Sequence, residues 1–358
     1  MKGGLDTLVL RLTNRCNLAC GYCYAGSGPA GEDLSPERAA EAVALACPPG
    51  EALRIQFTGG EPLLRWDTAA KVLDFGRASG RRFHAAIQTN GTLLTPALCR
   101  ELRARRVAVG VSLDGVGPDN AARRTPEGEP SFQATARGLQ TLAAAGMAAN
   151  LTAVVSAGSV RGLDRLLDFA LWCGNVHGVG LDLVRPQGRG AGEGDSPEGL
   201  NRLLARHDQL ARLGRPVRLK ELERLRLLLR TGCRRDCYCN AQTGRSLAVT
   251  PDGRLWPCSA LAGAEGCLLG TLGAGTALPQ SPCPGLEPPE ECARCPAFGL
   301  CGGGCPAARR AGPSPLDCQM HRRMLEHACR LEGKLEWWNT WKTAFPDREE
   351  PDDKEESQ

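Results

Sequence analysis

Three cysteines near the start of the chain are spaced for binding an iron–sulfur cluster. Cys16, Cys20 and Cys23 form a C-x3-C-x2-C loop directly after a short apolar run at Leu8–Leu12. A [4Fe–4S] cluster needs four ligands, so three thiolates leave one iron open, and an open metal position is typical of catalytic sites. A zinc knuckle is the alternative, but structural zinc takes four protein ligands and no histidine lies near this loop. The spacing therefore predicts a reactive cluster.

The composition limits the class of protein. The 358 residues are 42% hydrophobic and carry a net charge of +4, which suits one large domain and a smaller one. No basic block with interleaved aromatics occurs, so nucleic-acid binding is not expected. The N-terminus lacks the apolar core of a signal peptide, and no run approaches the roughly 18 apolar residues of a membrane helix. We therefore expect a cytoplasmic protein whose 18 cysteines stay reduced and serve mainly in cluster ligation.

Six apolar runs alternate with helical patterns in the first half of the chain. The predicted strands are Leu8–Leu12, Leu53–Thr58, Arg82–Thr89, Val107–Asp114, Ala148–Val155 and Gly178–Val184. The predicted helices are Ser35–Ala46, Trp66–Ser79, Thr95–Arg105, Ser131–Ala145 and Leu163–Cys173. The first and third helices open with a Ser-Pro or Thr-Pro pair, which combines an N-cap with proline at the first helical position. Strands separated by helices predict a parallel sheet, and six such units predict a partial (β/α)6 TIM-like barrel of the α/β class.

Polar motifs follow the predicted strands at their carboxyl ends, where parallel α/β folds bind ligands. The second strand precedes Gly59-Gly60-Glu61-Pro62, the third precedes Asn90, and Ser112 lies near the end of the fourth. Taken singly, these motifs have structural explanations: a tight turn, an Asn-Gly turn and a strand-end cap. Their common position predicts one shared site.

The cysteine loop and these motifs resemble the radical S-adenosylmethionine (SAM) superfamily. The resemblance implies that the open iron at Cys16, Cys20 and Cys23 chelates SAM, and that Tyr22 is the aromatic residue preceding the third cysteine. It also implies SAM contacts from Gly59, Gly60, Glu61, Pro62, Asn90, Ser112 and Arg123. In relatives a His-Asp-x-x-Arg stretch follows the fourth strand; here it is Asp119-Asn-Ala-Ala-Arg123, so the His and Asp are replaced. Arg123, beside Arg124, is expected to pair with the SAM carboxylate through its guanidinium fork.

The later part of the chain is rich in cysteine and proline and resembles the SPASM module of radical SAM enzymes. That resemblance implies two auxiliary [4Fe–4S] clusters, with zinc as the alternative metal. The first cluster would use Cys239, Cys258 and Cys305 with Cys233, for which Cys237 is the rival. The second would use Cys292, Cys295, Cys301 and Cys318. Four ligands close each cluster, which favours electron transfer. The remaining cysteines are expected to be buried hydrophobic residues: Cys47, Cys99, Cys173, Cys267, Cys283 and Cys329.

The sequence predicts five segments. They are the radical SAM partial barrel at 1–187, a loop and bridging helices at 188–231, the SPASM domain at 232–320, a C-terminal helix at 321–346 and a disordered acidic tail at 347–358. The helices beyond the barrel are expected at Asn201–Leu213, Leu219–Thr231 and Gln319–Leu335. A β-hairpin is expected at Val249–Trp256, where Gly253 supplies the positive φ of a Pro-Asp-Gly turn.

The resemblance implies a SAM-dependent iron–sulfur oxidoreductase or maturase. It would cleave SAM reductively to a 5′-deoxyadenosyl radical, with electrons from a reductant such as flavodoxin or ferredoxin. The substrate would be a peptide or protein that receives a crosslink, a thioether or a side-chain oxidation. Because the cysteine loop starts at residue 16, we expect either a separate leader-recognition protein or a substrate without a leader. Sulfatase-maturing relatives carry an acidic base where Ser259 stands here, which argues against that activity.

Two further functions remain open. The first is a radical SAM enzyme that tailors haem or another small molecule. The second is a non-catalytic iron–sulfur electron carrier or scaffold, against which the SAM motifs argue. No catalytic base is nominated from the sequence.

Overall fold

The strands form one continuous sheet. A computed structural model describes residues 4–156, 158–190, 198–273, 275–278, 283–310 and 315–343. The first six strands are β1 (Thr7–Arg11), β2 (Ala52–Thr58), β3 (Arg82–Thr89), β4 (Ala108–Ser112), β5 (Ala149–Val155) and β6 (Val176–Leu183). The remaining strands are β7 (Arg218–Leu219), β8 (Ser246–Val249), β9 (Arg254–Trp256) and β10 (Gly270–Thr271). All six strands predicted for the barrel are present, with ends that differ by no more than two residues.

An α-helix follows each of the first six strands along the chain. These helices are α1 (Pro36–Ala46), α2 (Trp66–Ala78), α3 (Pro96–Ala104), α4 (Phe132–Ala144), α5 (Leu163–Cys173) and α6 (Glu198–Arg212). Further along come α7 (Lys220–Thr231), α8 (Glu290–Ala293), α9 (Phe298–Cys301), α10 (Pro315–Leu331) and α11 (Leu335–Thr343). The two predicted N-caps are confirmed, because Ser35 Oγ accepts from Arg38 N at 3.2 Å and Thr95 Oγ1 accepts from Leu98 N at 3.2 Å.

Strand β1 lies between two parallel neighbours. The strand order is β10-β9-β8-β1-β2-β3-β4-β5-β6-β7. β1 pairs in parallel with β2 on one edge and with β8 on the other, so Leu8 lies beside both Ile55 and Leu247. The predicted hairpin is present as the antiparallel pair β8–β9, with Gly253 at φ +84°. The sequence analysis did not anticipate that this hairpin extends the barrel sheet.

Alternate residues of β1 face two different apolar cores. Leu8 and Leu10 point into the large core between sheet and helices. Val9 packs on the other side against a smaller apolar cluster that holds Trp256, Leu261 and Leu286. This period-two alternation is inherent to a strand. It gives one face of β1 to the barrel core and the other to the cysteine-rich region.

The C-terminal helix differs from its predicted bounds. The sequence predicted a single helix at Gln319–Leu335, whereas α10 starts at Pro315 and α11 follows it after Gly333, which has φ +66°. Cys318 therefore lies in the first turn of α10. The predicted disordered tail at 347–358 lies outside the described residues. Within the described part of the chain, no helix is long and apolar enough to cross a membrane.

A buried polar network connects α6 to α10. Asp208 and His207 lie on α6, and His327 and Arg330 on α10. Asp208 Oδ1 is 3.1 Å from His327 Nε2, while Arg330 Nη2 donates to His327 Nδ1 at 2.8 Å and also to the Asp208 carboxylate. Because Nδ1 accepts a hydrogen bond from Arg330, His327 is a neutral imidazole with its ring hydrogen on Nε2. We interpret the group as a structural link between the helices.

This network predicts acid-sensitive stability. Burial lowers the pKa of His327 to about 4, with Asp208 opposing and Arg330 adding to the shift. The unfolded chain takes up this proton near pH 6.5, so the free energy of unfolding should fall as the pH drops from about 6.5 to about 4, by on the order of 2 kcal/mol at pH 5. His327→Gln should remove that part of the pH dependence, as measured by denaturant unfolding at pH 7.5 and pH 5.

The matched control is His84→Gln, since His84 is exposed on β3. We expect it to keep the wild-type pH dependence. An unchanged difference between the two pH values in His327→Gln would contradict the interpretation.

Candidate functional site

Backbone hydrogen bonds hold the cysteine loop to the end of β2. Gly60 N donates to Thr13 O and Glu61 N donates to Arg15 O, both at 2.8 Å. A Cβ on Gly60 would lie 2.1 Å from Arg15 O, far inside van der Waals contact. The glycine pair is therefore required for the approach of the loop backbone itself.

A carboxylate fixes the outer side of the loop. Asp33 receives hydrogen bonds from Thr13 Oγ1 at 2.5 Å and Arg15 Nη2 at 2.6 Å, and Arg65 Nη1 is 2.7 Å away. Burial alone would raise the pKa of Asp33, but these donors lower it to about 2. Asp33 therefore stays ionised at neutral pH and ties the loop to the segment after β2.

The three thiols of the loop interact electrostatically. Burial raises the pKa of Cys16 to about 11, and the charges of Cys20 and Cys23 add to the shift. Leu18 N and Asn90 Nδ2 point at Cys16 Sγ from 3.3 and 3.9 Å. Three clustered thiols with N–H donors form a soft donor set, and metal binding deprotonates such thiols. The residues present therefore fit an iron–sulfur cluster.

Tyr22, Asp114 and Arg123 form a buried cluster behind the loop. Tyr22 Oη donates to the Asp114 carboxylate and accepts from Arg123 Nη1 at 2.7 Å. Burial raises the pKa of Asp114, against the opposing charge of Arg123. Arg123 Nε is buried and has no acceptor among the described residues. A guanidinium with a spare donor suits a carboxylate ligand, whereas Arg124 is exposed.

Glu61 is fully buried and strongly hydrogen-bonded. Its carboxylate accepts from Thr89 Oγ1 at 2.6 Å, Asn90 N at 2.7 Å and Leu63 N at 3.1 Å. Burial raises the pKa of Glu61, and these hydrogen bonds lower it in part. Glu61 also caps the short 3-10 helix Pro62–Arg65. About four acceptor positions exist on a carboxylate, and three of them are used by these donors.

Asn90 and Ser112 lie at the carboxyl ends of β3 and β4. Asn90 Nδ2 donates to Asn17 Oδ1 at 2.9 Å, which connects the cysteine loop to β3. Ser112 Oγ accepts from Gln88 Nε2 at 2.8 Å and is half-buried. The predicted SAM contacts thus meet around the loop at one edge of the sheet.

The segment after β6 covers the cysteine loop, which sequence reasoning missed. Arg189 N donates to Cys23 O and Arg189 Nε to Cys20 O, both at 2.9 Å. Gly188 has φ +62°, and a Cβ there would lie 2.3 Å from Cys23 O. From the sequence, this stretch was expected only to be the loop at the start of the 188–231 segment. Asp114 was also missed, although it directly follows the Ser-Leu pair that drew attention to Ser112.

The later cysteines act on one another electrostatically in two groups. Burial raises the pKa of Cys239 and Cys258, the latter to about 12, and each also responds to the charge of Cys305. In the second group Cys292 and Cys301 respond to Cys318, which itself responds to Cys295. Their members match the two sets proposed as auxiliary-cluster ligands, and that assignment stays a prediction.

The cysteines differ in the cause of their pKa shifts: burial alone for some, burial and neighbouring thiols for others. Burial alone raises the pKa of Cys99 and Cys173, as expected for residues used in packing. The charge of Cys237 acts on Cys239, while Cys233 is exposed just beyond α7. The structure thus adds an observation in favour of Cys237, and the spacing of relatives favours Cys233.

Comparison with known proteins agrees with this geometry. Residues 10–165 match the radical SAM superfamily. An uncharacterized protein of Methanocaldococcus jannaschii is 30% identical over 74% of this chain and 88% of its own length. The serine-type anaerobic sulfatase-maturating enzyme of Klebsiella aerogenes is 26% identical over 92% of this chain and 87% of its own. Several other curated relatives match over only 33–47% of their length.

The solved structure of native anSMEcpe with bound AdoMet and Cp18Cys peptide superposes with a TM-score of 0.75. It is 20% identical, and the match covers 93% of this chain and 99% of that one. This likeness shows the fold, a partial barrel followed by a cysteine-rich region.

Fold and site together define a SAM-dependent iron–sulfur enzyme. The chain belongs to the radical SAM superfamily. The family implies a [4Fe–4S] cluster and SAM as cofactors.

The close approach at Gly60 gives a test of how the loop is held. We expect Gly60→Ala to displace the Arg15 carbonyl and to lower the iron bound by the loop cysteines, together with SAM cleavage. Iron content and 5′-deoxyadenosine formation measure the two effects.

Gly28→Ala is the matched control. Gly28 lies in the same region, and a Cβ there meets no atom within 4 Å, so iron and activity should stay at wild-type levels. Wild-type iron content and wild-type 5′-deoxyadenosine formation in Gly60→Ala would contradict the view that the close contact at Gly60 holds the cysteine loop in place.

Proposed function

We propose that this protein is a radical SAM/SPASM maturase that oxidatively modifies a peptide or protein. The modification would be a crosslink, a thioether or a side-chain oxidation. The observation that carries the proposal is the pairing of β1 with both β2 and β8. β8 runs parallel to β1 and begins the hairpin whose return strand β9 leads to Cys258. Ser259, directly after Cys258, contacts Arg11 at the end of β1 and Tyr24, directly after Cys23. A non-catalytic electron carrier would have no use for the SAM-type constellation at Glu61, Ser112 and Arg123.

The cofactor and the protein have separate tasks in this reaction. When bound, a [4Fe–4S] cluster with an open iron supplies the electron that splits SAM into methionine and a 5′-deoxyadenosyl radical. Cys16, Cys20 and Cys23 would hold that cluster. Arg123 would bind the SAM carboxylate, for which its orphaned Nε is suited. Glu61 would bind the SAM amino group with its remaining acceptor position.

Further SAM contacts would come from the strand ends. Ser112 and Asn90 would hydrogen-bond the nucleoside side, and Tyr22 would orient Arg123, to which it is bonded at 2.7 Å. The backbone of Gly59, Gly60 and Pro62 would complete the cradle.

The two later cysteine groups would hold auxiliary clusters. Cys239, Cys258 and Cys305 would bind the first with Cys233 or Cys237, and the second group would bind the other. Their full complement of ligands favours electron transfer over substrate ligation. Electrons would enter from a flavodoxin or ferredoxin in the cytoplasm.

A peptide substrate is supported by the similar proteins. The anSMEcpe structure contains a bound peptide, and the Klebsiella relative is named for maturing a sulfatase. Ser259 replaces the acidic base expected in sulfatase maturation, so we propose a different peptide or protein as substrate. A separate protein would recognise a leader where the substrate carries one.

SAM cleavage tests the proposal directly. Anaerobically reconstituted protein with dithionite and SAM should form 5′-deoxyadenosine. Replacing Cys16, Cys20 and Cys23 together with alanine should abolish this activity and remove about a third of the iron, because one of three proposed clusters is lost. Cys173→Ser is the control for the loss of a cysteine outside the proposed clusters. Cys47 and Cys99 do not serve as controls, because they are buried in the core. No 5′-deoxyadenosine from iron-replete wild type would refute the enzyme function.

Single replacements decide the fourth ligand of the first auxiliary cluster. Only one of Cys233→Ala and Cys237→Ala should lose iron and cluster absorbance, and the other should match wild type. Loss in neither variant would show that this cluster has a different fourth ligand.

A further inference from the structure

A small open cavity lies beside the cysteine loop. Its volume is about 160 Å³, and Arg11, Asn14, Arg254 and Trp256 are among its lining residues. A cavity near 150 Å³ accommodates a group the size of benzene. Asn14 lies two residues before Cys16, so the cavity adjoins the SAM-binding edge. Its size suits one side chain or chain terminus of a substrate.

The cavity carries one positive charge without a carboxylate partner among the described residues. Arg254 is paired, because its Nε lies 3.0 Å from Asp252 Oδ2. Arg11 is only 7% exposed. Within the described residues, its side chain donates hydrogen bonds to Ser259 alone. Arg11 Nε is buried without an acceptor. A buried, unneutralised guanidinium is costly, which points to an anionic ligand.

The position of Arg11 is fixed before any ligand arrives. Its Nη2 donates to Ser259 O at 3.0 Å, and its Cζ lies 6.0 Å from the centroid of the Tyr24 ring. Arg185 also lies over this ring, at 5.5 Å, but Asp182 holds it with two hydrogen bonds of 2.7 and 2.9 Å. Of the two arginines over the Tyr24 ring, Arg11 is therefore the one whose guanidinium has no carboxylate partner among the described residues and can bind an anion.

The location connects the two cysteine arrays. Tyr24 directly follows Cys23, Ser259 directly follows Cys258, and Tyr24 Oη is 3.3 Å from Ser259 Oγ. A ligand held by Arg11 would lie between the cysteine loop and the first auxiliary cluster. That is where a substrate has to lie if it reacts at the first site and passes an electron to the second.

We propose that Arg11 binds a carboxylate of the substrate in this cavity. The inference rests on the proposed function and adds a substrate class: a peptide with an anionic group close to the modified residue. That group is either the C-terminal carboxylate or an Asp or Glu side chain. A guanidinium binds either through its planar fork, with Trp256 as an apolar wall.

Three small probes separate the two sources. Acetyl-Glu-amide has only a side-chain carboxylate, acetyl-Gln has only a terminal one, and acetyl-Gln-amide has neither. We expect at least one acid to bind the reconstituted wild-type protein about tenfold more tightly than the neutral amide, as measured by calorimetry, since a charged partner strengthens such hydrogen bonds. Arg11→Gln should remove this difference, and Arg11→Lys should retain part of it.

The control is Arg77→Gln, which removes an exposed guanidinium on α2 and should leave acid binding unchanged. Equal binding of acids and neutral amide to wild type overturns the proposal, as does wild-type acid binding in Arg11→Gln. A shift in the auxiliary-cluster reduction potential in Arg11→Gln with unchanged acid binding also overturns it, because Arg11 would then neutralise the cluster. If Arg11→Gln does not fold, the proposal is tested by acid binding in Arg11→Lys and by the binding of the acids and the neutral amide to wild type.

Failure of this inference is distinguishable from failure of the proposed function. Acid binding is measured without SAM turnover, whereas the proposed function fails when iron-replete wild type forms no 5′-deoxyadenosine. Acid binding without SAM cleavage would refute the function alone, and SAM cleavage without acid preference would refute the anionic substrate alone.

Discussion

The parallel pairing of β1 on both of its edges is the constraint on which the site depends. β2 on one side delivers Gly60 and Glu61 to the cysteine loop, and β8 on the other begins the hairpin that leads to Cys258. Because β9 runs antiparallel to β8, Cys258 lies back towards the start of β1, and the segment after it reaches the cysteine-loop region through Ser259, which contacts Arg11 and Tyr24. The lumenal face of β1 then provides Val9 and Arg11 to the space between the two cysteine arrays.

The charged side chains at this edge of the sheet are buried, which costs solvation free energy and fixes their positions. Asp114, Glu61 and Arg123 are all at least nine-tenths buried, and charges removed from water destabilise a fold unless they are paired and hydrogen-bonded. Tyr22 lies between Asp114 and Arg123 and bonds to both. Glu61 receives three hydrogen bonds. Such groups retain a fixed orientation that a solvated site would lose. The unmatched donors of Arg123 and Arg11 are the places where we propose that ligands complete the pairing.

Local patterns in the sequence predicted the strands, the helix caps and the grouping of motifs, because these depend on neighbours along the chain. The Ser35 and Thr95 caps are examples. The pairing of β8 with β1 could not be predicted in the same way, since β8 has four residues and its partner lies about 240 positions earlier. Asp114 and Arg189 were missed for a related reason: their roles come from tertiary contacts with Tyr22 and with the carbonyls of the cysteine loop.

The thiol environments also indicate how the arrays and their metal depend on each other. Burial raises the pKa of Cys16 to about 11 and that of Cys258 and Cys301 to about 12, so these thiols are protonated at neutral pH without metal. Binding a cluster must release those protons and gather several thiolates that otherwise repel one another. The auxiliary clusters that we propose would therefore supply cohesion to a cysteine- and proline-rich segment whose helices, such as α8 and α9, are short. For the same reason, loss of a cluster should loosen the hairpin side of β1 and, with it, the position of Ser259 that holds Arg11.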